Sequence, residues 1–169
     1  MVEHVLKNAP EEFVLFGHSL GGWVALEVIK AAPHRVKGLG LLNTTARPES
    51  KENIVWHERL IQKTHEMGFE KVVQTLLPIY LTPADLGDPK LHDELMTMFL
   101  RMGKDAFIRQ QMAMINRPGS MDYLNKITCQ TLIIHASNDV LLTYEMQEEM
   151  LSKIPNSQIE LVRECGHFS

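Results

Sequence analysis

Apolar and polar positions alternate along this chain in two rhythms, one of strands and one of helices. Residues 13–16, FVLF, are apolar on both parities and stop at Gly17, which predicts a parallel strand buried on both faces. From Leu20 the interval lengthens: Trp23, Val24, Leu26, Val28 and Ile29 recur at helical spacing until Ala32, and Pro33 closes the helix. Upstream, Val2, Val5 and Leu6 read as the last turns of another helix. A second strand is expected over 36–43, VKGLGLLN, where Gly38 and Gly40 either weaken it or admit a close helix. Strand signals then vanish. Helices are predicted over 53–67, 69–77, 90–102 and 104–116, with Gly68 and Gly103 at helix ends and Asp88-Pro89 as a cap and first turn. The strand rhythm returns in CQTLIIHASND, 129–139; Thr143 caps a helix to about Ile154, and Ile159 and Leu161 alternate with polar residues from Ser157 onward. Strand, helix and strand on either side of a helical insertion imply parallel crossovers, hence an α/β fold with a parallel sheet of about four strands. The expected division is a sheet-bearing part, 1–45 and 122–169, and a helical insertion, 46–121.

Composition narrows the partners. The chain has 169 residues, 44% of them hydrophobic, enough for one ordinary core. Its net charge of -4 comes from 17 basic and 21 acidic residues scattered along the chain, which argues against nucleic acid or an anionic membrane as partner. Cys129 and Cys165 stand alone without CxxC spacing, so reduced thiols are expected, with no disulfide, no metal and no cofactor. No apolar run nears the roughly 18 residues of a membrane span, and the start lacks a signal pattern, so the expected location is cytoplasmic. Seven of the ten methionines (Met67, Met96, Met98, Met102, Met112, Met114 and Met121) lie in the insertion, as adaptable core packing or as a ligand-lining surface.

Between the first strand and its helix stands Gly17-His18-Ser19-Leu20-Gly21, a G-x-S-x-G pattern. The pattern is weak alone and strong in a strand-turn-helix setting, where glycines let the two elements cross without Cβ clashes. A serine hydroxyl needs a base within hydrogen-bond reach and an acid to orient that base. Asp139 and His167 follow later strands in the order nucleophile, acid, histidine, and the carboxyl ends of parallel strands share one edge. Plainer readings stand beside these. Ser19 could be a helix N-cap; Asp139 could cap a turn, with Asp122 and Glu164 as rival acids. His18 and His135 read as local packing, and His57, His65 and His92 as solvated helix faces. Cys165 reads as a small buried filler, and Trp23 as core or as a wall of an acyl pocket.

FVLFGHSLGGWVALEVIKAAPHRVKGLGLLNT, the helical insertion, TLIIHASNDVLL and ECGHFS together resemble the α/β-hydrolase superfamily, and most closely its enol-lactonase-like and small-ester branch. The resemblance implies Ser19 as nucleophile, Asp139 as acid and His167 as general base. It also implies the Leu20 N–H as an oxyanion donor and a helical cap over the site. Trp23, Met98 and Met112 are the candidates for substrate contact. The implied activity is a serine hydrolase acting on a small or medium carboxylic ester or lactone through an acyl-enzyme. Perhydrolases and C–C bond hydrolases share the same three residues. The alternative of another class is an inert fragment or a non-catalytic binding module of this fold. Family members have strands and an oxyanion loop ahead of the elbow and a helix after the histidine, so the chain is expected to be a fragment cut at both ends. Strand 13–16 then becomes an apolar edge that invites self-association.

Overall fold

In the computed structural model, which describes residues 1–168, β1 (Phe13–His18), β2 (Val36–Leu42), β3 (Gln130–Ala136) and β4 (Ser157–Val162) form one sheet in the order β1-β2-β3-β4, every pair parallel. Parallel neighbours need crossovers, supplied here by α2 (Leu20–Ala31) between β1 and β2 and α8 (Tyr144–Lys153) between β3 and β4. The chain is α/β with a four-stranded parallel sheet. It divides into two compact units, Met1–Arg47 with Gly119–Glu164, and Pro48–Pro118 with the residues from Cys165.

In the first unit one sheet face is packed. Leu39, Leu41 and Ile133 meet Ala25, Leu26, Val28 and Ile29 of α2, Met150 of α8 and Ile154 just past its end, all nearly inaccessible to solvent. Each of these side chains larger than alanine contributes about 1.5–3 kcal/mol of burial relative to exposure. The other face corrects the expectation for the first strand. β1 is not buried on both sides: Val14 and Phe16 are 61% and 60% exposed, while Phe13 and Leu15 reach the core. Their cross-strand partners are Gly38 and Gly40, and a side chain on Gly40 would collide with the Phe16 ring. The two glycines of β2 therefore make room for β1 side chains rather than for a helix. Ahead of β1, α1 (Val2–Asn8) contributes Val2, Val5 and Leu6 to the core. Arg35 ties the intervening loop, its guanidinium donating to the carbonyls of Leu6, Ala9, Pro10 and Glu11.

The second unit is helical: α3 (Lys51–Glu66), α4 (Phe69–Tyr80), α5 (Pro83–Leu86), α6 (Pro89–Met102) and α7 (Lys104–Ile115). Val72, Val73, Leu76 and Leu77 give α4 a buried stripe at i, i+1, i+4 and i+5. The helix runs three residues beyond the expected end, through Pro78, because its last turn places Tyr80 against the Phe99 ring at 5.8 Å. α5 was not anticipated. Its signal is the Thr82–Asp85 capping box, in which each side chain accepts from the other's backbone N–H. The methionines are also not mainly core. Met67, Met98 and Met112 are exposed, and Met96 is the buried one of the seven.

His57 corrects another expectation, since it is buried. Its Nδ1 lies 2.7 Å from Gln111 Oε1, and its Nε2 lies 3.7 Å from Glu49 Oε2, which in turn lies 3.1 Å from Arg117 Nε. Burial alone would push the Glu49 carboxyl up, but His57, Arg117 and Asn53 outweigh it and hold the group below the usual carboxylate range. No helix among the described residues is long and apolar enough to cross a membrane.

Candidate active site

At the end of β1 the backbone makes an unusual turn. Ser19 has φ 52° and ψ -120°, and α2 begins at the next residue. Its N–H donates to the Leu42 carbonyl at 2.9 Å, and its carbonyl accepts from Gly22 N at 3.0 Å and Trp23 N at 3.3 Å. Its hydroxyl makes no capping bond, so the helix-cap reading of Ser19 has no support. A non-glycine residue in this conformation costs on the order of 1–3 kcal/mol and persists only where its surroundings impose it. Strain of this kind recurs along one edge. The positive-φ non-glycine residues among those described are Ser19 after β1, Asn43 (φ 40°) after β2 and Glu164 (φ 59°) after β4.

The glycines around the turn divide their work differently from the expectation. A Cβ on Gly17 would strike the Gly21 carbonyl, and one on Gly22 would strike the Thr44 side chain at 2.5 Å, whereas one on Gly21 would meet nothing within 4 Å. Gly17 and Gly22, not Gly21, are the positions without room for a side chain. Accordingly Gly21→Ala is expected to keep or raise stability by up to about 1 kcal/mol, because alanine suits a helix better. Gly22→Ala should lose about 1–3 kcal/mol to overpacking. Urea unfolding of the two variants checks the order, and equal midpoints would refute it.

Asp139 follows β3. Its N–H donates to the Ala136 carbonyl at 3.1 Å, and its Oδ1 accepts from Leu141 N at 2.8 Å and Leu142 N at 3.2 Å. The carboxylate thus caps its turn, a task that does not exhaust the lone pairs of two oxygens. Of its rivals, Asp122 is exposed in a turn, and Glu164 is exposed with its N–H on the Ser137 hydroxyl. Ser19 and Asp139 both belong to the first unit and stand at the carboxyl ends of β1 and β3, on the same sheet edge, with β2 between. Leu20 opens α2, and its N–H is among those the first turn of a helix leaves without an intrahelical acceptor.

His135, also in β3, is buried against the Tyr144 ring at 5.6 Å. Burial pushes its imidazole below the ordinary 6.5, partly countered by the Asp139 charge. The unfolded chain therefore takes up a proton that the folded chain resists, so stability from this residue is present above pH 6.5 and declines as pH falls below it. His135→Phe is expected to flatten that acid decline. Melting curves between neutral and mildly acidic pH check it, and parallel declines in both proteins would refute it.

His167 belongs to the second unit and is 3% exposed. Its ring stacks on Tyr80 at 5.8 Å and meets Phe168 edge-on at 5.2 Å, while Phe168 N–H donates to the Tyr80 carbonyl at 3.1 Å. Burial pushes the Tyr80 hydroxyl up to about 12. This aromatic box, which also includes Phe99, is why the residues from Cys165 group with the helices. Trp23 is half-buried on the first turn of α2. Met98 and Met112 are exposed; Met98 lines an open groove along α6 with Lys90, Asp93, Glu94, Thr97, Arg101 and Met102.

The model of the family Hydrolase_4, serine aminopeptidase S33, matches residues 1–168. The provisionally named carbamate hydrolase RutD of Escherichia coli is 27% identical over 161 residues, which cover 93% of this chain and 59% of RutD. A thermophilic esterase from Thermogutta terrifontis is 26% identical with a TM-score of 0.86, over 98% of this chain and 61% of the esterase. The enol-lactonase from Burkholderia xenovorans LB400 shares the fold, with a TM-score of 0.84 at 20% identity over 99% of this chain and 62% of the lactonase. The chain thus spans about three fifths of the length of these relatives.

Proposed function

Because the chain belongs to the Hydrolase_4 family of α/β hydrolases, we propose that it carries the nucleophile of a serine hydrolase acting on a small or medium carboxylic ester or lactone. The observation that carries this reading is the backbone of Ser19. It is held at φ 52° and ψ -120° between strand and helix, with no capping bond to account for it. A turn of that shape lifts the hydroxyl above the sheet edge at the N-terminus of α2, where the helix dipole favours developing negative charge. His167 takes the Ser19 proton, Asp139 orients His167, and the alkoxide attacks the carbonyl carbon. The Leu20 N–H steadies the resulting oxyanion. Collapse expels the alcohol, protonated by His167, and a water activated by His167 then hydrolyses the acyl-enzyme. The roles of Asp139 and His167 rest on chain order and resemblance. The ester or lactone preference draws on the esterase and enol-lactonase among the similar proteins.

A fluorophosphonate probe tests this directly, since it phosphonylates an activated serine and spares ordinary ones. Labelling that maps to Ser19 and disappears in Ser19→Ala is expected. Absence of labelling in the native protein would overturn the reading.

A further inference from the structure

Two consecutive residues after β2, neither prominent in the sequence, grip the two turns on which the proposed chemistry depends. Asn43 is buried at φ 40°, a conformation that asparagine tolerates better than most residues. Its backbone N–H donates to the Ile134 carbonyl at 3.0 Å, continuing the β2–β3 ladder by one step. Its side-chain Oδ1 accepts the Ala136 N–H at 2.8 Å. Ala136 in turn accepts the Asp139 N–H on its carbonyl, so the Asn43 amide holds, through its N–H, the residue whose next peptide starts the Asp139 turn. Thr44 faces the opposite strand. Its hydroxyl donates to the Ser19 carbonyl at 2.8 Å, and its side chain occupies the space that the missing Cβ of Gly22 leaves open. From below, Gln147 of α8, wholly inaccessible to solvent, donates to the Thr44 carbonyl at 2.9 Å.

We infer that Asn43 and Thr44 are positioning residues that fix the distance between the nucleophile turn and the acid turn across β2. This rests on the reading of Ser19 as nucleophile and Asp139 as acid. β1 and β3 are not neighbours, so no ladder hydrogen bond joins their ends directly. Their relative placement passes through the end of β2, where both grips converge on one dipeptide. The strained φ of Asn43 aims its amide at β3, while Thr44, next along, reaches back to the Ser19 peptide. Gln147 anchors the pair against α8. Buried side-chain-to-backbone bonds of this kind confine a turn more tightly than solvent-exposed ones, because water offers no competing partner. A misplacement near 1 Å among reacting groups costs up to about 100-fold in rate.

Four variants separate positioning from mere folding. Asn43→Gly keeps the positive φ and removes the acceptor, whereas Asn43→Asp keeps an acceptor for the Ala136 N–H. Thr44→Val removes the hydroxyl, and Thr44→Ser retains it. With an aryl acetate as substrate, Asn43→Gly and Thr44→Val are expected to lose about 10–100-fold in kcat with KM within about twofold. Asn43→Asp and Thr44→Ser should recover most of that loss, and fluorophosphonate labelling of Ser19 should slow and recover in parallel. Native kcat in both Asn43→Gly and Thr44→Val would overturn the inference, as would losses that Asp and Ser fail to rescue. A native protein whose Ser19 neither labels nor turns over ester would instead overturn the hydrolase reading, and this inference with it.

Discussion

Ser19→Ala is expected to abolish ester turnover, a fall on the order of 10⁶ in kcat, leaving only what binding and hydrogen-bond donors supply without a nucleophile. The reason is that the proposed mechanism gives the three residues one shared step. If His167 acts as the proposed base, it has no proton to remove once the hydroxyl is gone, and Asp139 would orient a base with no task, so the losses should not add. The double variant Ser19→Ala with His167→Ala should therefore be nearly as slow as Ser19→Ala alone. Stability should move the other way. Ser19 contributes a strained conformation without a capping bond, so Ser19→Gly is expected to unfold at higher urea than the native protein, because glycine enters the positive-φ region without steric cost. Steady-state hydrolysis of an aryl ester and urea titration measure the two effects. Turnover surviving Ser19→Ala within tenfold of the native rate would remove Ser19 from the mechanism.

Arg117→Ala is expected to be the most destabilising single change in the helical unit, at about 3–5 kcal/mol. Glu49 and Arg117 have side chains only 5% exposed, and their nearest atoms stand 3.1 Å apart. Removing the guanidinium leaves the carboxylate buried with His57 and Asn53 as its remaining partners. The pair also has a place in the chain that magnifies its importance. Pro48–Pro118 begins next to Glu49 and ends next to Arg117, so one ion pair ties together both ends of the helical segment. The expected fall in melting temperature is roughly 6–20 °C for a chain of this size. Glu49→Gln with Arg117→Met should restore much of it, because a neutral buried pair no longer carries an uncompensated charge. Since the Glu49 carboxyl is held below its ordinary range, the contribution of this cluster is present above that range and lost as pH falls through the lowered value. A melting temperature for Arg117→Ala within 2–3 °C of native, about 1 kcal/mol at this chain length, would show that the buried pair carries no weight.

Local patterns were legible wherever one physical requirement dominated. The run FVLF ending at Gly17 pointed to a strand, and the strand-glycine-serine-glycine-helix order to a tight crossing. Asp88-Pro89 announced a helix start, which the Asp88 side chain makes good by accepting from Lys90 N. Legibility failed where the deciding partner is remote. Pro78 reads as a stop, yet the stacking of Tyr80 on Phe99 carries α4 past it. His57 reads as a solvated histidine because Gln111, its partner at 2.7 Å, lies on another helix. Gly21 completes the motif on paper, but the steric demand falls on Gly22, because Thr44 packs there.

From the residues alone follow the class of fold, the parallel sheet, the helical insertion and Ser19 as the reactive candidate, since each depends on spacing within a segment or on the order of segments along the chain. Only the tertiary structure assigned the Asn43–Thr44 grip, the Glu49–Arg117 tie and the aromatic box around His167. Each joins residues distant in the chain, and hydrogen bonding, ion pairing and ring stacking act over a few ångströms of space, whatever the separation in sequence.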